Sequence, residues 1–414
     1  MLGTDAFASL AEAAAASLGM PHLQLVAVGH PLGGIDPKLA RAKADDVVGR
    51  VIAALTEDPA PPSAAISPSV ATRVDAPADI DAFQDFALAE GWSDGMPVLL
   101  PTEERVGRIL GGLAAHRAEV IAILAPRRGV ATLEAIAANA ALAGAVPDHL
   151  PVVVAAIRAV ADPRFNLNAI QTTTHPCTPL VIVNGPIAPR LGINGGANAL
   201  GQGHRANAAI GRAVRLVLQN VGGARPGRED RATLGHPGKY SYCFAENEAE
   251  SPWAPLHVER GFRADESCVT VCGSEAPHNV NDHGSATAEA LVFAIAGTAA
   301  TTGSNNIYLG GEPLVILGPE HAQTFATGAW SKADVKRAIW ERARVRLDRF
   351  SPANRVRFAR IDPARFEDRP LAEEVALCTC PEDLMVVVAG GPGKHSAIVP
   401  TFGATRSVTV AIND

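Results

Sequence analysis

The densest run of reactive side chains is 234–262 (LGHPGKYSYCFAENEAESPWAPLHVERGF), with His236, Lys239, Tyr240, Cys243, Glu246 and His257. Read as a strand, 239–245 puts Lys239, Ser241 and Cys243 on one face and Tyr240, Tyr242 and Phe244 on the other. A lysine beside a cysteine favours the thiolate, which is the nucleophilic form. Cys243 is therefore the candidate nucleophile. Lys239, His236 and His257 are candidates for moving protons, since imidazole titrates near neutral pH. Glu246 completes the candidate catalytic set.

A wider window, 171–283, holds six of the 12 histidines and four of the six cysteines. Within it, a Gly- and Asn-rich loop, 192–207, leads into six arginines (205, 212, 215, 225, 228 and 231), offset only by Glu229 and Asp230. On an acidic chain such an excess suits a small anion, because guanidinium presents a planar fork to carboxylate or phosphate. Arg205, Asn207, Arg212 and Arg215 are the expected substrate contacts, joined by Thr173, Asn184 and Tyr240. A Gly-rich turn after a buried strand, 390–396 (GGPGKHS), adds Lys394 and Ser396, with Lys394 or His395 as partner to the hydroxyl. The ordinary role for any one of these side chains, a solvated helix arginine or an inert buried cysteine, is the competing reading.

No organic cofactor motif is visible: the P-loop pattern is absent, and the glycines of 192–203 lack the order of a dinucleotide fingerprint. Cys268 and Cys272 on one strand would stand ~13 Å apart, too far for one zinc. Cys378 and Cys380 are closer, but Pro381 and the acidic neighbours suggest a loop; His278 and His283 could ligate a metal with Asp282, but no ligand set is complete. A divalent metal stays open as a cofactor.

The elements that must position these groups follow from pattern. Residues 1–19 read as an Ala-rich helix rather than a secretion signal, since no Lys or Arg precedes the apolar stretch. A strand within 20–30 and a helix over 37–55 complete a small α/β unit, 1–56. A Pro/Ala/Ser-rich linker is expected at 57–78, and a main α/β region over 79–414. Three apolar strands end in Gly-Pro, at 180–186, 314–319 and 385–392. They suggest two or three quasi-repeated helix–strand–Gly-Pro–helix units, about 150–220, 287–346 and 375–414. Runs such as LVIV, apolar on consecutive residues, imply strands buried on both faces.

Composition bounds the function. A net charge of −7 argues against a nucleic-acid partner. No apolar run is long enough to span a membrane. Six cysteines in 414 residues fit a reducing cytoplasm better than a disulfide scaffold.

Leu18-Gly19-Met20-Pro21 and His30-Pro31-Leu32-Gly33-Gly34, followed by the helix with Lys43, resemble the UGSC-like domain family. The motif that names that family is absent, as no cysteine precedes residue 177. Gly91–Pro97, Arg205–Arg215 and His236–Trp253 resemble the large region joined to such domains in bacterial proteins, which implies an enzyme family. The expectation is a cytoplasmic, homo-oligomeric hydrolase or lyase acting at a carbon–heteroatom bond of a small carboxylate-bearing substrate. The alternatives are a thiol oxidoreductase, a metal-dependent hydrolase or lyase, and a non-enzymatic ligand-binding module.

Overall fold

The computed structural model describes residues 1–57 and 73–413. Its N-terminal unit alternates β1 (Leu2–Thr4), the helix Ala8–Ser17, β2 (Val26–Val28) and the helix Pro37–Thr56. β1 and β2 pair in parallel, and Val26, Val28 and Val47 form a small core. The second helix starts where the sequence favours it. Asp36 accepts from Lys38 N, and Pro37 takes the first position, where its missing N–H has no helical partner to lose. Of the expected linker 57–78, residues 58–72 lie outside the described residues.

The main region opens with the helices Ile80–Ala89 and Glu103–Leu110, followed by the hairpin of β3 (Val120–Leu124) and β4 (Gly129–Thr132) and the helices Leu133–Leu142 and Leu150–Ala161. β5 (Thr178–Asn184), β6 (Cys243–Ala245), β7 (Cys268–Ser274), β8 (His278–Asn281) and β9 (Leu314–Leu317) follow. A short antiparallel pair, β10 (Arg344–Arg346) and β11 (Glu374–Ala376), precedes β12 (Met385–Val388), β13 (His395–Val399) and β14 (Val408–Ala411).

Two four-stranded sheets form, in the orders β14-β7-β5-β6 and β8-β13-β9-β12. Their strand directions correspond. β5 runs parallel to β6, as β9 does to β12. β7 is antiparallel to β5, and β13 to β9. The outer strands are exchanged: β8, which follows β7, pairs with β13, and β14, which follows β13, pairs with β7. Ser274 and Thr401 bridge where the two connections cross. Each sheet therefore takes its outer strand from the connection that leaves the other. The third Gly-Pro run supplies β12, the edge neighbour of β9.

The apolar runs explain the layering. Leu180 and Ile182 of β5 join Leu314 and Ile316 of β9 and Met385 and Val387 of β12 in a core between the sheets. The alternate residues, Val181 and Val183, pack with the helices Leu150–Ala161 and Arg205–Asn220. On the far side, Val315, Leu317, Val386 and Val388 pack with the helix Ala288–Ala299. Helix, sheet, sheet and helix make four layers, so both sheet faces are apolar. The fold class is α/β, as the sequence predicts. Among the described residues no helix is long and apolar enough to cross a membrane.

One close approach places the helix Arg205–Asn220. A Cβ at Gly211 would stand 2.6 Å from Ser241 Oγ and from Tyr242 N. Only glycine lets this helix lie against the segment that enters β6. That contact brings Arg215 within reach of the turn that carries Lys239.

Candidate functional site

Residues 237–239 form a single tight turn, and the strand begins only at Cys243. His236 caps the turn: its Nδ1 accepts from Gly238 N at 3.1 Å. The expected strand over 239–245 is shortened to Cys243–Ala245, because Lys239 belongs to the turn begun by Pro237-Gly238, and Lys239 and Cys243 do not share a strand face. Lys239 turns instead to Asp230. Its Nζ lies 2.8 Å from Oδ1 and 2.7 Å from Oδ2. Arg215 Nη2 donates to the same carboxylate at 3.0 Å, and Ala232 N donates to Oδ1 at 3.1 Å. The side chains of Arg215, Asp230 and Lys239 are 7%, 8% and 15% exposed. Water screens this triad little, so its charges act strongly on one another and on a ligand.

The triad lines a cavity of about 430 Å³, together with Asp94, His236 and Tyr240. Tyr240 is half exposed at the rim. Arg212 backs Asp94 from outside the lining. It grips Asp94 through two hydrogen bonds of 2.7 and 2.8 Å and also donates to the carbonyls of Met96 and Pro97. The turn 91–97 is thereby tied to the helix Arg205–Asn220. Arg212 neutralises Asp94, and the triad of Arg215 and Lys239 against Asp230 carries one net positive charge.

Burial holds His236 below the usual histidine range, with Lys239 pushing the same way and the Ser274 carbonyl opposing. The ring is therefore neutral at pH 7. Since Nδ1 accepts from Gly238, the hydrogen-bond network assigns the proton to Nε2, 3.4 Å from Ser274 O. Beside it, His175 Nε2 lies 2.6 Å from Glu275 Oε1, and Tyr242 donates to Glu275 O at 3.1 Å. Asp94 and Asp230 were the residues that sequence reasoning missed as site members. The signal for Asp230 was present: it is one of only two acids among six arginines.

The other expected contacts fall elsewhere. Arg205 is exposed and donates twice to Gly144 O, at 2.9 and 3.2 Å, closing the end of the helix Leu133–Leu142. Asn207 is buried and holds the Gly-rich loop, accepting from Asn194 N and donating to Asn194 O and Ala199 O. Thr173 accepts from His175 N. Cys243 lies in the core between β6 and the helices, where burial pushes its thiol up to about 12. That corrects its reading as an activated nucleophile, because desolvation favours the neutral thiol and no cation offsets it.

Asn184 meets Glu246 and Glu248 at the opposite, carboxyl end of β5 and β6, and His257 Nδ1 lies 3.9 Å from Glu248 Oε1. Ser396 and Lys394 form a third group. Ser396 Oγ lies 2.7 Å from His321 Nδ1 and accepts from Gly318 N, while His321 Nε2 faces Asp282 O at 3.0 Å. The partner of Ser396 is thus His321, far off in sequence, in place of Lys394 or His395. Lys394 points to His283 O at 3.5 Å. All six cysteines are free. Among the described residues no three His, Cys, Asp or Glu side chains are placed to hold one metal ion.

The N-terminal unit touches the loop that carries Asp230. Arg231 donates to Ser9 Oγ at 2.8 Å, and its guanidinium lies 5.5 Å from the Phe7 ring centre. Residues 1–57 match the UGSC family. No curated protein and no solved structure matches the chain.

Proposed function

We propose that the chain is an enzyme that acts on a small carboxylate-bearing substrate in the cavity beside Asp230. One observation carries this reading: a single buried carboxylate holds Arg215 and Lys239 together on the cavity wall. Asp230 holds both side chains in place, and one carboxylate against two cations leaves a surplus of positive charge for an incoming anion. An ammonium has three N–H donors, and Asp230 engages Lys239 through its two oxygens, so one donor is left for substrate. Arg215 anchors the carboxylate, and Lys239 delivers a proton to the departing heteroatom in hydrolysis or elimination. His236, neutral with its proton on Nε2, orients the turn that carries Lys239.

The reading includes a cytoplasmic location, supported by six unpaired thiols in one chain. It also includes a homo-oligomer, supported by Val48, Ile52 and Leu55, exposed at helical spacing on Pro37–Thr56. Sedimentation of the full chain tests that assembly, and a monomer at all concentrations would remove it.

The test of the site is calorimetric titration with malonate, followed by NMR of mixtures of small hydroxy- and acyl-carboxylates incubated with the protein. Saturable malonate binding lost in Lys239→Met, and turnover lost in the same variant, are expected. Malonate binding equal in the wild type and in Lys239→Met would remove the cavity from consideration.

A further inference from the structure

A second cavity, also of about 430 Å³, lies at the carboxyl ends of the parallel strands β5 and β6. Glu246 and Glu248 line it, with Gly185, Ala188, Ile193 and Ala249, and no Lys or Arg does. Asn184 links the two carboxylates: its Nδ2 donates to Glu246 Oε2 at 2.7 Å and to Glu248 Oε1 at 2.9 Å. Gly185 N donates to Glu248 Oε1, and Leu256 N to Glu246 Oε2.

These bonds leave a remainder. Glu246 is 4% exposed, yet its Oε1 has no hydrogen-bond partner. Asn184 Oδ1 likewise has no hydrogen-bond partner, and the His257 ring makes no hydrogen bond, its Nδ1 standing 3.9 Å from Glu248 Oε1; both residues are 0% exposed. Burial raises the Glu246 carboxyl above its usual range. Lys332, the cation that acts on Glu246 from outside the cavity, is already held by Ala254 O and Glu259. A buried carboxylate oxygen without a partner is costly.

The fold does not require this cost. Val183 pairs with Ala245 in one sheet as Leu317 pairs with Val388 in the other. The residues that follow are Glu246, Asn247 and Glu248 in the first corner but Ala389, Gly390 and Gly391 in the second. The glycine N–H after the central strand is met by Glu248 in the first and by Ser396 in the second. The second corner places no acid directly after its edge strand, so the strand pairing does not itself call for Glu246 and Glu248.

We propose that this cavity is a second ligand site, for a protonated primary amine carried on a short aliphatic body. The ammonium donates to Glu246 Oε1 and to Glu248, and its chain lies along Ala188, Ile193 and Ala249. The absence of any three-residue metal constellation among the described residues sets an organic cation above a metal ion.

The test is calorimetric titration of the full chain with n-butylammonium chloride at constant ionic strength, beside butan-1-ol and magnesium chloride. Saturable butylammonium binding at one site is expected, with no heat from butan-1-ol. Glu246→Gln keeps the side-chain shape and the oxygen that accepts from Asn184 and Leu256. It should weaken binding about tenfold or more, as should Glu248→Gln, since each removes a hydrogen bond to a charged group. Glu246→Gln should also melt at or above the wild-type temperature at pH 8, which separates lost binding from lost folding. Malonate binding at the first cavity should be unchanged in Glu246→Gln, and butylammonium binding unchanged in Lys239→Met, so each site fails or stands alone. Butylammonium heats without saturation, equal affinity in Glu246→Gln, or magnesium binding in place of the amine would each overturn the proposal.

Discussion

Replacing Asp230 with Asn keeps the shape of the side chain and removes one charge. Arg215 and Lys239 then face a neutral amide while remaining 7% and 15% exposed. Breaking a buried ion pair costs about 3–5 kcal/mol, because the surviving charge stays desolvated. At roughly 2–4 °C per kcal/mol for a large domain, the melting temperature should fall by roughly 6–20 °C. The control is Asp348→Asn, whose partner Arg346 lies at 2.6 Å with both side chains well exposed. That change should lower the melting temperature far less, because solvent screens an exposed pair. Salt discriminates further. In about 1 M NaCl the exposed pair is screened, so the control deficit should shrink, while the Asp230 deficit should persist. The same variant raises the net charge of the cavity by one, so malonate should bind more tightly even as the fold weakens. Urea unfolding of both variants at two salt concentrations, with malonate titration, gives all of these values. A deficit for Asp230→Asn no larger than that of Asp348→Asn would refute the claim that the triad is desolvated. Malonate affinity unchanged from the wild type would refute the claim that Asp230 sets the charge and placement of the anion contacts Arg215 and Lys239.

Arg205→Ala should cost about 1 kcal/mol, the worth of its hydrogen bonds to Gly144 O, and leave malonate affinity within about twofold; a larger loss of affinity than of stability, read from paired titration and melting, would return Arg205 to the site. Iodoacetamide at pH 7.5 should label Cys380, the half-exposed thiol, before Cys243, whose thiol is held up to about 12; peptide mapping that finds Cys243 first would restore it as a nucleophile. Burial lowers the folded-state titration of His149, His236 and His321. Their neutral forms thus favour the fold above about pH 6.5, and this contribution is lost as pH falls toward the lowered folded values, by up to about 1.4 kcal/mol per pH unit for each. Urea midpoints that stay flat between pH 7.5 and 5 would refute that sign.

Local pattern alone determined much of this molecule. The LVIV-type runs are apolar on every residue, and a strand with that pattern must be covered on both sides, which sets the α/β class and the layering. Thr102 ahead of Glu103 and Glu104 starts a helix because its hydroxyl meets Arg105 N. The clustering of His236, Lys239, Tyr240 and Arg215 in sequence likewise pointed to the first cavity.

What the sequence could not decide was which charge each side chain would spend on the fold. Arg205, Arg212 and Arg215 sit on one helix with similar neighbours, yet one holds a helix end, one holds a turn and one lines a cavity. Spacing along the chain does not contain that distinction, because the partners Gly144, Asp94 and Asp230 arrive from different directions in space. Cys243 failed for a related reason. Pro237 and Gly238 end the local alternation, so Lys239 turns away, and the thiol is left against the helices that cover β6. The pairing of Ser396 with His321, and of Glu246 with Asn184 and Glu248, needed the exchanged sheets. Strand order is set by which apolar faces can be buried together, and only the tertiary structure resolves that choice.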